Sequence, residues 1–272
     1  MRGYTQLVAL FIAVLMVMAI KPSYGQELRP LFVIVDYIST DDVPVYLEAE
    51  QKWKVLHQHM VNEGVLMYWG LYRVAYPRGS AQSYNYATVR IYKDFSQVDA
   101  AAQEALYRAR VNEMNQHSWT EFIASTSASR EVVKGEVFEV VSTTGNDYQA
   151  MGRYVEVDYM DTPEGEEAAY IEAENKYWKP MQEQRIAKGL MTGWDLWGLK
   201  YPSGTSEAYD YVTINFFDSY SKLSEPDYPQ EVISGAHPDF VEGDFDRIVE
   251  ETIATRSMVN MQLWIRIDQT SN

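Results

Sequence analysis

The chain has 272 residues, no cysteine and a formal charge of −16 at pH 7. The missing cysteine excludes a disulfide framework, thiolate catalysis and a cysteine-ligated zinc site. The acidic field repels phosphate backbones and anionic headgroups, which sets nucleic acid and membrane surfaces aside as partners.

At the N-terminus, Arg2 precedes an apolar run from Leu7 to Ile20. That run is shorter than the roughly 20 residues needed to span a bilayer, so it reads as a signal peptide. Ser23 and Gly25 put small residues at the −3 and −1 positions, and cleavage is expected after Gly25. An uncleaved anchor is the competing reading. Loss of Arg2 and Lys21 takes the charge to −18, and no later segment is apolar enough to span. The expectation is an exported protein, periplasmic or extracellular, that leaves no part in the membrane after signal cleavage.

Residues 26–142 form a first unit, 143–152 a linker and 153–272 a second unit. In the first, Leu31 to Ile38 is a β-rich run. Thr40 or Asp42 then caps a helix with apolar residues at Tyr46, Ala49, Trp53, Leu56 and Met60, stopped by Gly64. Strands over Val65 to Ala75 and Tyr84 to Lys93 flank the Tyr76-Pro77-Arg78-Gly79 turn. Phe95 to about Ser125 reads as two helical pieces, and Glu131 to Val141 as the closing strand.

The second unit repeats the first. Trp53 to Phe95 aligns without a gap with Trp178 to Tyr220 at a shift of 125, with eleven identities that include Trp53/Trp178, Gly64/Gly189, Trp69/Trp194, Pro77/Pro202 and Tyr86/Tyr211. Upstream, Tyr46-Leu-Glu-Ala-Glu50 echoes Tyr170-Ile-Glu-Ala-Glu174, and Val35-Asp-Tyr37 echoes Val157-Asp-Tyr159. A repeat this long is a duplicated domain. The most diverged stretch is the second helical region, where Pro226, Pro229 and Pro238 interrupt the later copy.

Each copy reads as strand, helix, strand, strand, helix, strand: an α+β, ferredoxin-like βαββαβ unit with both helices on one face of an antiparallel sheet. Two copies can cover each other sheet to sheet as an intramolecular pseudo-dimer, a monomer with an internal pseudo-twofold that leaves room for further oligomerisation. Along Tyr84 to Tyr92, Ala87, Val89 and Ile91 share one side. That aliphatic side is expected to meet the helices, and the aromatic and polar side the partner sheet. On this alternation Asp36, Arg90, Lys134, Glu136, Glu156, Asp158, Asp195, Asn215, Asn260, Gln262 and Arg266 would point into the space between the sheets. They would form either a satisfied network or the lining of a wet cavity.

With Val-Asp-Tyr, Tyr-Pro-x-Gly and Tyr-x-Tyr-x-Thr repeated in both copies, the chain resembles the dimeric α+β barrel superfamily over essentially its whole mature length. That group includes antibiotic-biosynthesis monooxygenases, small polyketide cyclases, stress-responsive barrel proteins and fused, chlorite dismutase-like haem proteins. The resemblance implies a substrate space between each sheet and its helices. The fold hosts unrelated functions, so chemistry must be argued from the site.

Two loci come forward. Between sheet and helices, Trp53, Trp69, Trp178 and Trp194 are candidate walls, and His57, one helical turn after Trp53, is a candidate proton-transfer residue, with His117 and Trp119 in the second helical region. The plain alternative makes the tryptophans core and His57 a helix-surface residue. Gln182 stands opposite His57 in the second copy, so an acid–base site would belong to the first. The second locus is the barrel, with Tyr86, Arg90 and Tyr211 as candidate ligand contacts.

His57 and His59 point to different sides of a helix and make no metal pair. No cofactor is expected. His237 stands where fused haem barrels place an axial ligand, but Gly235, Pro238 and Gly243 argue for a loop, which leaves haem a minor alternative. The leading expectation is a protein that binds a small aromatic or amphipathic organic molecule. The rivals are a cofactor-independent monooxygenase, cyclase or isomerase using His57, and a non-catalytic assembly module.

Overall fold

In the computed structural model, residues 30–79, 82–113, 118–204 and 207–271 are described. The expected signal peptide and His117 lie outside them. Strand β1 (Phe32–Ser39) leads to helix α1 (Val43–Asn62), whose N-cap Asp42 accepts from the Val45 N–H and whose first turn carries Pro44. Gly64 follows at φ 73°, a left-handed conformation that glycine adopts without strain. Then come β2 (Tyr68–Tyr76), β3 (Tyr86–Tyr92), α2 (Ala100–Glu113), α3 (Trp119–Ser129) and β4 (Glu131–Thr143). Ser118 and Glu121 form a reciprocal capping box at the start of α3.

The later half runs β5 (Tyr154–Asp161), α4 (Glu167–Ala173), a π-helical turn (Glu174–Trp178), α5 (Lys179–Ala187), β6 (Gly193–Tyr201), β7 (Tyr211–Phe217), α6 (Gln230–Ala236), α7 (Asp244–Thr255) and β8 (Ser257–Gln269). Pro229 caps α6 and Pro238 stands between α6 and α7, as the proline spacing predicts.

The eight strands close into an antiparallel barrel in the order β1-β3-β2-β8-β5-β7-β6-β4. Each half contributes four adjacent strands, and the seams are β2 with β8 and β4 with β6. The interior is filled by Val33, Val35, Ala87, Val89, Ile91 and Phe138 from one half and Val155, Val157, Trp197, Ile214, Phe216 and Trp264 from the other. The cavity left among them is about 10 Å³, too small for a ligand ring.

The expected facing of the strands is therefore reversed. The aliphatic side of β3 points into the barrel, while Tyr86 and Tyr92 join Tyr46, Trp69 and Tyr107 under the helices. An eight-stranded barrel leaves an interior just wide enough for side chains to fill. On β3 it is the compact set, Ala87, Val89 and Ile91, that fits there, beside rings supplied by other strands, among them Phe138, Trp197, Phe216 and Trp264.

Of the polar residues expected inside, Lys134, Glu136, Asp195 and Gln262 are inside. Lys134 and Tyr209 bind Glu136 at 2.7 and 2.5 Å, Trp197 donates to Asp195, and Gln262 links Tyr84 to Trp264. Arg266 donates to the carbonyls of Tyr148 and Met151. Each of these side chains is hydrogen-bonded, although one oxygen each of Glu136 and Asp195 is left without a partner. Asp36, Arg90, Glu156, Asp158 and Asn215 face the helices instead, and Asn260 is exposed.

Candidate ligand pocket

The two halves place equivalent residues in the same frame, so each serves as a control for the other. In the first half, the Trp53 indole donates to Thr126 at 3.0 Å. The His57 ring lies between the indoles of Trp53 and Trp69, with centroids 5.7 and 5.2 Å away and planes inclined by 24° and 19°. Its Nε2 meets the Tyr107 hydroxyl at 3.1 Å, and its Nδ1 has no partner. His57 is 4 % exposed, so it is not the helix-surface residue of the plain alternative. Burial, then the charge of Arg90, pushes its pKa well below the usual histidine value. The ring is held neutral.

Around it the charges are matched. Arg90 binds Asp36 at 2.5 Å and Gln103 at 3.1 Å, and Arg130 pairs with Glu50. Arg90 is thus a structural partner beneath the helices and no part of the barrel lining. Tyr86 packs against Tyr46 at 4.9 Å. The rings and ion pairs fill the space around His57.

In the second half, the Trp178 indole donates to Thr252 at 2.8 Å, repeating the bond from Trp53 to Thr126. The rest has changed. Gln182 replaces His57, and it donates to Tyr228 and accepts from Arg185. Asn215 replaces Arg90 and donates to Asp158 Oδ2 at 3.0 Å, beside Thr213 at 3.2 Å. Among the described residues no ring bridges Trp178 to Trp194 as His57 bridges Trp53 to Trp69. A cavity of about 200 Å³ opens there, lined by both tryptophans, by Met160, Met258 and Met261, and by Glu156, Asp158, Glu174, Arg185, Asp227, Tyr228 and Arg256.

A single extra residue shapes the wall. Glu50 and Trp53 are three apart, whereas Glu174 and Trp178 are four apart, and the π-turn spans those five residues. One inserted residue in a helix is absorbed as such a bulge, and bulges of this kind recur at functional sites. Here both ends of the bulge line the cavity.

The carboxyls are held near neutrality. Burial, then the charges of Asp158 and Asp227, pushes Glu156 up to about 7. Burial pushes Asp158 up to about 6 and Glu174 up to about 7. Asp158 Oδ1 and the Nε groups of Arg185 and Arg256 are buried without partners, while Arg185 binds Asp227 at 2.7 Å. The site therefore offers aromatic and thioether surface, hydrogen-bond capacity unused by the protein, and groups able to exchange a proton near pH 7.

Of the residues expected to contact a ligand, Trp178 and Trp194 line this cavity. Trp53, Trp69 and Tyr86 belong to the filled first-half core, and Tyr211 packs against Tyr170 at 5.3 Å. Glu156 and Asp158 were missed because strand alternation alone assigned them to the barrel. The step in repeat offset, from 124 at Glu50/Glu174 to 125 at Trp53/Trp178, was the available signal.

The cavity lining offers haem no histidine, and His237 turns Nε2 to the Tyr177 carbonyl at 2.9 Å while stacking on Phe240. Among the described residues there is also no cluster of histidine and carboxylate side chains spaced for a metal.

No protein-family model matches the sequence, and no curated protein matches it. The structure is similar to that of a candidate monooxygenase from Lactobacillus acidophilus NCFM, with a TM-score of 0.53 and 12 % identity over 89 % of this chain and 96 % of that one. A candidate monooxygenase from Fusobacterium nucleatum matches with a TM-score of 0.53 and 10 % identity over 89 % and 94 % of the two chains. The chain has the dimeric α+β barrel fold. At such identities the likeness extends to the fold alone.

Proposed function

We propose that this protein is an exported, tandemly duplicated ferredoxin-like chain that binds a small amphipathic organic molecule in the helix–sheet pocket of its second half. The observation that carries this reading is the cavity between Trp178 and Trp194, at the position that His57 and its neighbours fill in the first half. Duplication leaves one copy free to serve as scaffold while the other holds a site. The ring-lined barrel is packed and offers no rival space.

A second reading, proton-transfer catalysis, is favoured by the carboxyls of Glu156, Asp158 and Glu174 near neutrality. On this reading the acid–base groups are those carboxyls, with His57 left to packing. Candidate monooxygenases among its structural neighbours are compatible with it.

The test is a native mass spectrum of the protein purified from its own host, beside an Asn215→Arg variant. That variant copies Arg90, pairs Asp158 as Arg90 pairs Asp36, and occupies the cavity. The expected result is extra mass on the wild type that leaves on denaturation and is absent from the variant. Extra mass retained by Asn215→Arg would contradict the placement.

A further inference from the structure

The charge balance of the pocket points to the chemistry of its ligand. In the first half Asp36 has the Arg90 guanidinium at 2.5 Å and Glu50 has Arg130. In the second half Asp158 has an uncharged amide, Asn215, in the place of Arg90. Glu156 adds a carboxyl where the first half has Ile34, since the strand echo runs at a shift of 122. The guanidinium of Arg185 is engaged by Asp227 and Gln182. That leaves Asp158 and Glu174 sharing Arg256, and Glu156 facing an Arg185 already paired with Asp227.

Two further observations separate this from a mere acidic cluster. Asp158 is 7 % exposed, and its Oδ1 has no partner although Oδ2 has two. A buried carboxylate oxygen left unpaired is costly unless something else meets it. Beside it the cavity is lined by Trp178, Trp194 and Tyr228, rings that attract positive charge, and Tyr228 already holds the Arg185 guanidinium 5.3 Å from its centroid.

We infer that the ligand is a small organic ammonium with an apolar body, whose cation meets Asp158 and Glu156 where the first half uses its own Arg90. This rests on the pocket reading above. Burial, which raises the pKa values of all three carboxyls, disfavours their charged forms, and a bound cation would favour them again.

The experiment is calorimetric titration at pH 8 with three probes of one shape: 2-phenylethylamine, 2-phenylethanol and 3-phenylpropanoate. The amine is expected to bind at least about tenfold more tightly than the alcohol, the effect of one desolvated charge-assisted contact, and the acid not at all. Asp158→Asn is expected to bring the amine down to the alcohol's affinity. Glu156→Gln, at a half-buried position that tolerates change, should move it in the same direction, and near-UV circular dichroism checks that both variants are folded. Equal binding of amine and alcohol, or an amine affinity unchanged in both variants, would overturn the ammonium while leaving the pocket standing. Binding of none of the three would remove the pocket reading and this inference together.

Discussion

His57 and Gln182 occupy equivalent positions and do opposite things: one ring closes a space that the other side chain leaves open. The sequence shows the difference between them but not its meaning, because an isolated histidine on a helix reads equally as surface, base or filler. Burial of His57 between two indoles removes the surface reading and gives it a packing role. His57→Gln should therefore destabilise, by about 2 kcal/mol for two lost ring contacts and an unfilled gap, without changing ligand binding at the second half. Its pH signature is specific. The folded-state pKa is depressed, so below about 6.5 the unfolded chain takes up a proton that the folded chain refuses. Stability falls as pH drops through that range, and thermal melts at pH 7 and pH 5 should show a smaller difference in the variant. An unchanged difference would mean that His57 titrates freely.

Glu174 has the opposite sign. Its pKa rises from 4.5 to about 7, so the folded state keeps a proton that the unfolded state has shed across that window. Stability from this group falls as pH rises towards 7. Glu174→Gln should raise the Tm at pH 8, by up to about 3 kcal/mol in stability, and leave it nearly unchanged at pH 4.5. A lower Tm at pH 8 would show that Arg256 stabilises the ionised carboxylate more than burial penalises it.

At the scale of elements, most of the fold was legible. Strand runs, the Asp42 cap, Gly64 and the proline breaks all fall within a few residues of the observed boundaries, because each is a local signal. The facing of the strands was not legible. Alternation divides β3 into Ala87, Val89, Ile91 and Tyr86, Thr88, Arg90, but it does not say which set meets the smaller space. Barrel closure decides that, and closure is a property of eight strands together. The helix bulge lies between these cases: one extra residue is visible in the repeat offset, yet its effect on Glu174 and Trp178 needs the structure. Deleting Asn175 restores the three-residue spacing of Glu50 and Trp53. The variant should fold, with α4 and α5 joined as one regular helix like α1, and should lose ligand affinity. A folded deletion variant with wild-type affinity would remove the bulge from the site.

At the scale of the molecule, the barrel interior is shared between the halves, and each half alone would expose its apolar face, including Val33, Val35, Val89, Ile91 and Phe138. Such a continuous apolar face is not left bare in a stable soluble unit. Residues 26–142 produced alone should therefore associate as a dimer, re-forming a barrel from two identical halves. A folded monomer in analytical ultracentrifugation would contradict the shared core. The same closure explains why ligand space is found under the helices and not inside the barrel, and why inequality between the halves, more than the fold itself, carries function.

The most direct test of the central claim uses the tryptophans already in place. Seven are present, and Trp53 and Trp69 in the filled half mirror Trp178 and Trp194 in the open one. With assigned indole N–H signals in a ¹H–¹⁵N spectrum, titration with 2-phenylethylamine should shift Trp178 and Trp194 and leave Trp53, Trp69, Trp197 and Trp264 in place. Shifts at Trp53 and Trp69, at the barrel pair, or at none of them would contradict the account.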